Sequence, residues 1–239
     1  MLFRSLLYAA DEGKKHLQKE AAVLSRMILK YEKPKHHTFC GEKTEDVILL
    51  CNRNNRQITA RQIQTGEVSM LAGGVRIQGA DLQEIAKIRT WQELLFPLHG
   101  KVEREYTAEA AAQTVWNTEI MELLQSLHEE KGAFLFRIEY KGSLDERKKS
   151  EFVKKTASLL EEKSERMLIN SISDYEIEIR IVESKKGGYL PFLRLYTMED
   201  ERFAYRKESI AASIAPVNAA LIMQIAGDHQ IGRASCRER

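Results

Sequence analysis

"AFLFRIEYKGSLDERKK", Ala133 to Lys149, changes its hydrophobic period half-way along. Up to Tyr140 the apolar side chains alternate: Phe134, Phe136, Ile138 and Tyr140 fall on one face of an expected strand, 133–142. After Gly142, Ser143 and Glu146 form an S-x-x-E capping box that opens a helix running to about Lys163. Next comes "DYEIEIRIVE", 174–183, in which Tyr175, Ile177, Ile179 and Ile181 alternate with Glu176, Glu178 and Arg180, the pattern of a half-solvated strand. Gly187-Gly188 then turns a hairpin into "YLPFLRLYT", 189–197, where Pro191 argues for a sheet edge. Strand, helix, strand, strand is the order of a compact α+β unit, not of a doubly wound parallel sheet.

Upstream, Thr107 to Lys131 carries a helical stripe of Ala112, Trp116, Ile120, Leu123 and Leu127, with Gly132 in the C-cap position. "DVILLC", 46–51, is a short apolar run suited to a buried strand, and "NRNNRQITARQI" ends in a helix. In "SMLAGGVRIQG" strand-like residues flank the turn signal Gly73-Gly74. Asp81 is placed to N-cap "LQEIAKIRTWQELL", whose Leu82, Ile85, Ile88, Trp91 and Leu95 share a face. Residues 14–33 repeat Leu17, Ala21, Leu24, Ile28 and Tyr31 at helical spacing before Pro34. Downstream, Ser213 is the expected N-cap of "IAPVNAALIMQIAG", with Pro216 in its first turn.

Hydrophobic residues at 43% and charged residues at 30% are ordinary for a globular chain, and no apolar run is long enough to span a bilayer. Cys40, Cys51 and Cys236 give no disulfide framework, which fits a reducing, cytoplasmic setting. His36, His37, Cys40 and Cys51 are metal-ligand types, but lack the tight pairs of a structural zinc site, so no metal is expected. "GGVRIQG" lacks the spacing and the Lys-Ser/Thr of a phosphate-binding loop. No Ser/His/acid or Cys/His arrangement stands out.

The two ends read differently from the rest. "IGRASCRER", 231–239, resembles a translated short-read sequencing adapter, and "MLFRS", 1–5, resembles the translation of its counterpart behind a GTG start. Both are set aside as scars. The formal net charge is +2; the tail contributes +2 and the head +1, which leaves −1 for the chain between them. Net charge is therefore no argument for a polyanionic partner. Residues 6–230 are expected to be an internal piece of a longer protein.

One stretch has the chemistry of nucleic-acid contact. In "EDERFAYRKESIA", 199–211, Arg202, Tyr205, Arg206 and Lys207 interleave cations with aromatics (Phe203 among them) before a helix. Guanidinium groups grip phosphate and a tyrosine stacks on an unpaired base. The bland alternative has the aromatics anchoring the loop while the charges are solvated.

"GGVRIQGADLQEIAKIRTWQELLFPL", "FRIEYKGSLDERKK", "NSISDYEIEIRI" and "RFAYRKESIAASIAPVNAALIMQIAG" together resemble, in this order, segments of the THUMP-associated RNA methylases, covering about 68–99 and 134–227. The resemblance implies an enzyme whose N-terminal part holds structured RNA (tRNA or rRNA). A Rossmann-like domain of that enzyme uses S-adenosylmethionine (SAM) to methylate a base nitrogen. Neither the acidic glycine-rich cofactor loop nor the Asn/Asp-Pro-Pro-Tyr/Phe motif occurs here, so the fragment itself is expected to carry no cofactor-binding, catalytic or metal residue.

The expectation is thus an α+β chain of small mixed sheets and packed helices. A helical segment at 6–34 is followed by an α/β subdomain at 35–100, a connecting helix at 101–132 and a THUMP-like, ferredoxin-like unit at 133–212. A first helix at 213–230 leads toward a missing Rossmann-like domain. Two other readings stay open: a non-catalytic RNA- or ribosome-binding module, and the end of a helical-repeat scaffold.

Overall fold

Phe134, Phe136, Ile138 and Tyr140 are all buried along β5 (Phe134–Lys141), and they organise the sheet around them. The computed structural model describes residues 37–41, 43–129, 132–205 and 213–226, all within one compact unit that begins at His36. The adapter-like ends, the helix expected at 14–33, and Arg206 and Lys207 lie outside the described residues.

β5 runs into α5 (Glu146–Lys163) and returns as β6 (Leu168–Asn170), parallel to β5. β7 (Ile177–Glu183) is parallel to β5 on its other side and forms a hairpin with β8 (Tyr189–Leu195). The earlier half supplies β1 (Thr44–Leu50), β2 (Glu67–Leu71), β3 (Gly74–Asp81) and β4 (Glu93–Pro97), all antiparallel. The expectation of small separate sheets is corrected by the β4–β8 contact, where Phe96 pairs with Leu193 and Pro97 with Phe192. One mostly antiparallel sheet results, in the order β2-β3-β1-β4-β8-β7-β5-β6. The remaining helices among the described residues are α1 (Arg56–Arg61), α2 (Leu82–Ile85), α3 (Ala108–Trp116), α4 (Ile120–Leu127) and α6 (Pro216–Ala226).

A single buried cluster runs through both halves, joining Val47, Leu49 and Ile77 to Val115, Leu124, Phe136, Leu160 and Ile179. Removing water from each such side chain contributes about 1.5–3 kcal/mol, and this is what holds α3 and α5 to the sheet.

Several local expectations change for identifiable reasons. The helix expected from Leu82 to Leu95 stops after one turn, although Asp81 caps it as expected, its Oδ1 accepting from Gln83 N at 2.8 Å. Trp91 Nε1 donates back to Ile85 O at 3.1 Å, closing a turn from which β4 departs. Leu82, Ile85, Ile88, Trp91 and Leu95 are all buried, so the periodicity marked burial without marking conformation.

The helix expected at 107–131 breaks after Trp116. Thr118 Oγ1 bonds Val115 O at 2.6 Å and Thr118 bridges to Gly100, so short polar side chains compete with the helical ladder. Gly132 therefore does not cap a helix; α4 ends at Leu127. The cap of α5 is Asp145, whose Oδ1 accepts from Lys148 N at 2.9 Å, because Ser143 N and Oγ are already held by Glu183. Ser213 stands three residues before the first helical residue, and it is Ala215 O that accepts from Ala219 N.

Pro191 is interior, not at an edge. Its carbonyl accepts from Leu98 N at 3.1 Å, just beyond the last β4–β8 pair, so its missing N–H faces the side where β4 has ended. The strand at 174–183 is not half-solvated either: Glu178 and Arg180 are buried.

Phe136 has no exposed surface and lies in the centre of the cluster. Phe136→Ala is expected to lower unfolding stability by about 3–5 kcal/mol, read from urea denaturation followed by circular dichroism. A loss below 1 kcal/mol would show that the sheet does not depend on this layer.

Candidate nucleic-acid interface

Strand alternation puts the apolar side chains of β5, β7 and β8 on the core side and gathers charges on the opposite face. Arg137 stands across from Glu178, Glu178 from Arg194, and Glu93 lies on the neighbouring strand. Arg194 Nη1 donates to Glu93 Oε1 at 3.0 Å and Arg180 Nη1 to Glu93 Oε2 at 2.6 Å. Arg180 Nη2 then reaches Glu178 Oε1 at 2.7 Å, while Arg137 Nε reaches Glu178 Oε2 at 3.0 Å. Three guanidiniums alternate with two carboxylates, so the chain has a surplus of one positive charge with arginines at both ends.

Burial alone would raise the Glu178 carboxyl, whose side chain is 1% exposed; the Arg137 and Arg180 hydrogen bonds and charges hold it below the usual carboxylate range. Arg137 stacks on Tyr175 with its guanidinium carbon 4.0 Å from the ring centroid, and 5.4 Å from that of Tyr196. Arg194 lies 4.8 Å from the Tyr196 centroid. Tyr175 was expected to share a face with Ile177, but it precedes β7 and turns to the charged side.

Beside this array a cleft of about 170 Å³ opens between the 86–94 and 194–202 segments. Arg202 lines it, but as an anchor. Its guanidinium carbon is 3.1 Å from the Trp91 ring centroid, its Nη1 donates to Trp91 O at 2.9 Å, and its Nε and Nη2 both reach Asp200 at 2.7 Å. The Arg202 hydrogen bonds hold the Asp200 carboxyl below its ordinary value. With its side chain 3% exposed, Arg202 fixes the turn at 201–203 to the core and has no face to offer a phosphate.

Tyr205 is the outward member of the expected set, 58% exposed, with Arg89 over its ring at 5.1 Å. Arg206 and Lys207 lie outside the described residues. The loop is thus brought together with Trp91, Arg89, Arg194 and Tyr196; the sequence reading names only Trp91 of these, and as an apolar helix position. Of the metal-ligand types, His37 is buried against Phe134 with ring centroids 4.1 Å apart and Cys51 is in the core. Among the described residues no three His, Cys, Asp or Glu side chains converge as metal ligands.

The chain shares its fold with TrmN from Thermus thermophilus. That match has a TM-score of 0.54 at 15% identity, covering 76% of this chain and 54% of the other. A structure described as a predicted N6-adenine-specific DNA methylase from Listeria monocytogenes str. 4b F2365 matches at a TM-score of 0.52, with 15% identity, covering 75% of this chain and 48% of that one. The chain spans about half the length of these structures. No family model matches it, and no curated protein does.

An unfolded glutamate titrates at about 4.3 and the folded Glu178 titrates below it, so its contribution is complete above the unfolded value and is lost as pH falls through the folded one. Glu178→Gln leaves Arg137 without a carboxylate among the described residues and Arg180 with Glu93 alone, and is expected to cost about 3 kcal/mol at pH 7. Urea denaturation between pH 7 and pH 3 checks this: the gap between wild type and variant should be constant near neutrality and narrow as pH falls below about 4. A gap independent of pH would refute the assignment.

Proposed function

We propose that this unit is the RNA-binding, N-terminal region of a SAM-dependent methyltransferase that modifies an exocyclic base nitrogen in tRNA or rRNA in the cytoplasm. The observation that carries the reading is the pair of cation–aromatic groups, Tyr205 with Arg89 and Tyr196 with Arg137 and Arg194, on a fold shared with methylase-type structures. The THUMP-associated resemblance adds the RNA class. No helix of the described residues is long and apolar enough to cross a membrane.

SAM would supply an electrophilic methyl group, but the described residues do not fit it. At the strand-to-helix turn after β5, a Cβ on Gly142 would lie 2.1 Å from Tyr140 Oη and 2.4 Å from Glu183 Oε2, so the chain's own side chains already fill the turn. We therefore assign methyl transfer to a domain outside the described residues, and RNA capture and orientation to this one. Calorimetry on the chain is expected to show no SAM binding; a micromolar affinity would overturn this division. The same misfit favours the second reading, a non-catalytic RNA-binding module. The genomic reading frame beyond His229 separates the two, since a methylase cofactor loop there supports the first and a stop or unrelated domain the second.

For RNA contact, Arg206 and Lys207 directly follow Tyr205 in the sequence. Arg206→Ala with Lys207→Ala is expected to weaken tRNA binding and to reduce the slope of log K against log salt by about 1–2. Anisotropy titrations at low and moderate salt give both quantities. An unchanged slope would remove the loop from the interface.

A further inference from the structure

The cleft beside the charged array has the wrong electrostatics for a phosphate. Arg194 and Arg202 line it against Glu93, Glu199 and Asp200, so its lining is one charge negative. Arg202 is fully engaged by Asp200, Ile88 O and Trp91 O, and Glu93 is shared by Arg180 and Arg194. What stays open among the described residues is specific. Arg194 uses only Nη1, which leaves Nε and Nη2 as donors, and the exposed Glu199 carboxylate has no hydrogen bond. One exposed flat face comes with them, Tyr196 with Arg194 against it; the Trp91–Arg202 stack that also lines the cleft is buried.

An exposed aromatic face with an open guanidinium donor and an open carboxylate acceptor in the same lining matches the groups that a heterocyclic base presents. At about 170 Å³ the cleft is smaller than the usual pocket for a drug-sized ligand and admits a single ring system. The acceptor is a carboxylate, which takes a hydrogen bond from an amino group and repels a carbonyl oxygen; the one ring-edge donor of uracil, N3–H, is flanked by two carbonyl oxygens that the carboxylate repels.

We infer that this cleft receives one unpaired nucleobase carrying an exocyclic amino group, with Glu199 accepting from the amine, Arg194 donating to the ring edge, and Tyr196 providing the stacking face. The inference rests on the RNA-binding reading and adds base selectivity to it: adenine, cytosine or guanine in preference to uracil. The backbone of the same strand would run over the Arg89–Tyr205 edge, outside the negative cleft.

The test uses the full chain and labelled nine-nucleotide oligocytidine and oligouridine, titrated by fluorescence anisotropy, with CMP and UMP as competitors. Oligocytidine should bind roughly tenfold more tightly than oligouridine, the size of one good base-edge contact. Glu199→Ala should erase that difference without lowering the melting temperature, because Glu199 is exposed and has no hydrogen bond among the described residues. Displacement of oligocytidine by CMP but not UMP would show that the base with its own phosphate suffices; displacement only by longer chains would show that the strand is required. Both support the pocket. Equal affinity for the two oligomers, or a preference that survives Glu199→Ala, would overturn it. Binding of folded tRNA with no binding of either oligomer would overturn the pocket and leave the RNA-binding reading standing. No binding of any RNA would remove both.

Discussion

The sheet is held across its middle by a seam only two residue pairs long, Phe96 with Leu193 and Pro97 with Phe192. Backbone pairing of that length is weak support for joining two four-stranded halves. The Glu93 carboxylate compensates: it reaches from β4 to Arg194 on β8 and past it to Arg180 on β7. One side chain thus ties three strands, and the second carboxylate, Glu178, carries the tie onward to Arg137 on β5. Buried ion pairs repay their desolvation only when every partner is satisfied, and here each carboxylate oxygen has a guanidinium partner. The charged face is consequently structural before it is functional, and the surplus positive charge at its ends is a by-product of closing the seam.

That ordering explains why binding potential concentrates at the margins. Arg180, in the middle, is saturated, whereas Arg137 and Arg194 are half-exposed and lie against tyrosines. The 199–205 loop docks on the same margin through Arg202 and Trp91, so the cleft and the exposed Arg89–Tyr205 edge inherit their positions from the sheet.

The parts legible in the sequence were those decided by neighbours in the chain. The alternation of Phe134 to Tyr140, the helix to Lys163 and the two-glycine hairpins at 73–74 and 187–188 depend on local periodicity and turn chemistry, and they stand. The parts that were not legible depend on register. Nothing local to "DYEIEIRIVE" says that Glu178 faces Arg137 from a parallel strand forty-one residues earlier, so its polar face read as solvated. Arg202 read as a phosphate ligand for the same reason: its partner Trp91 is more than a hundred residues away. The usable hint was charge on both sides of strands whose apolar face was already accounted for.

The stacking of Arg202 on Trp91 has an optical consequence. The chain has two tryptophans, Trp91 and Trp116, and only Trp91 has a guanidinium over its ring among the described residues. An indole pressed against a cation, with its Nε1 donating to Ile85 O, occupies a different electrostatic field from one without it. Emission from Trp91 therefore reports, without any label, whether the loop is seated on the sheet.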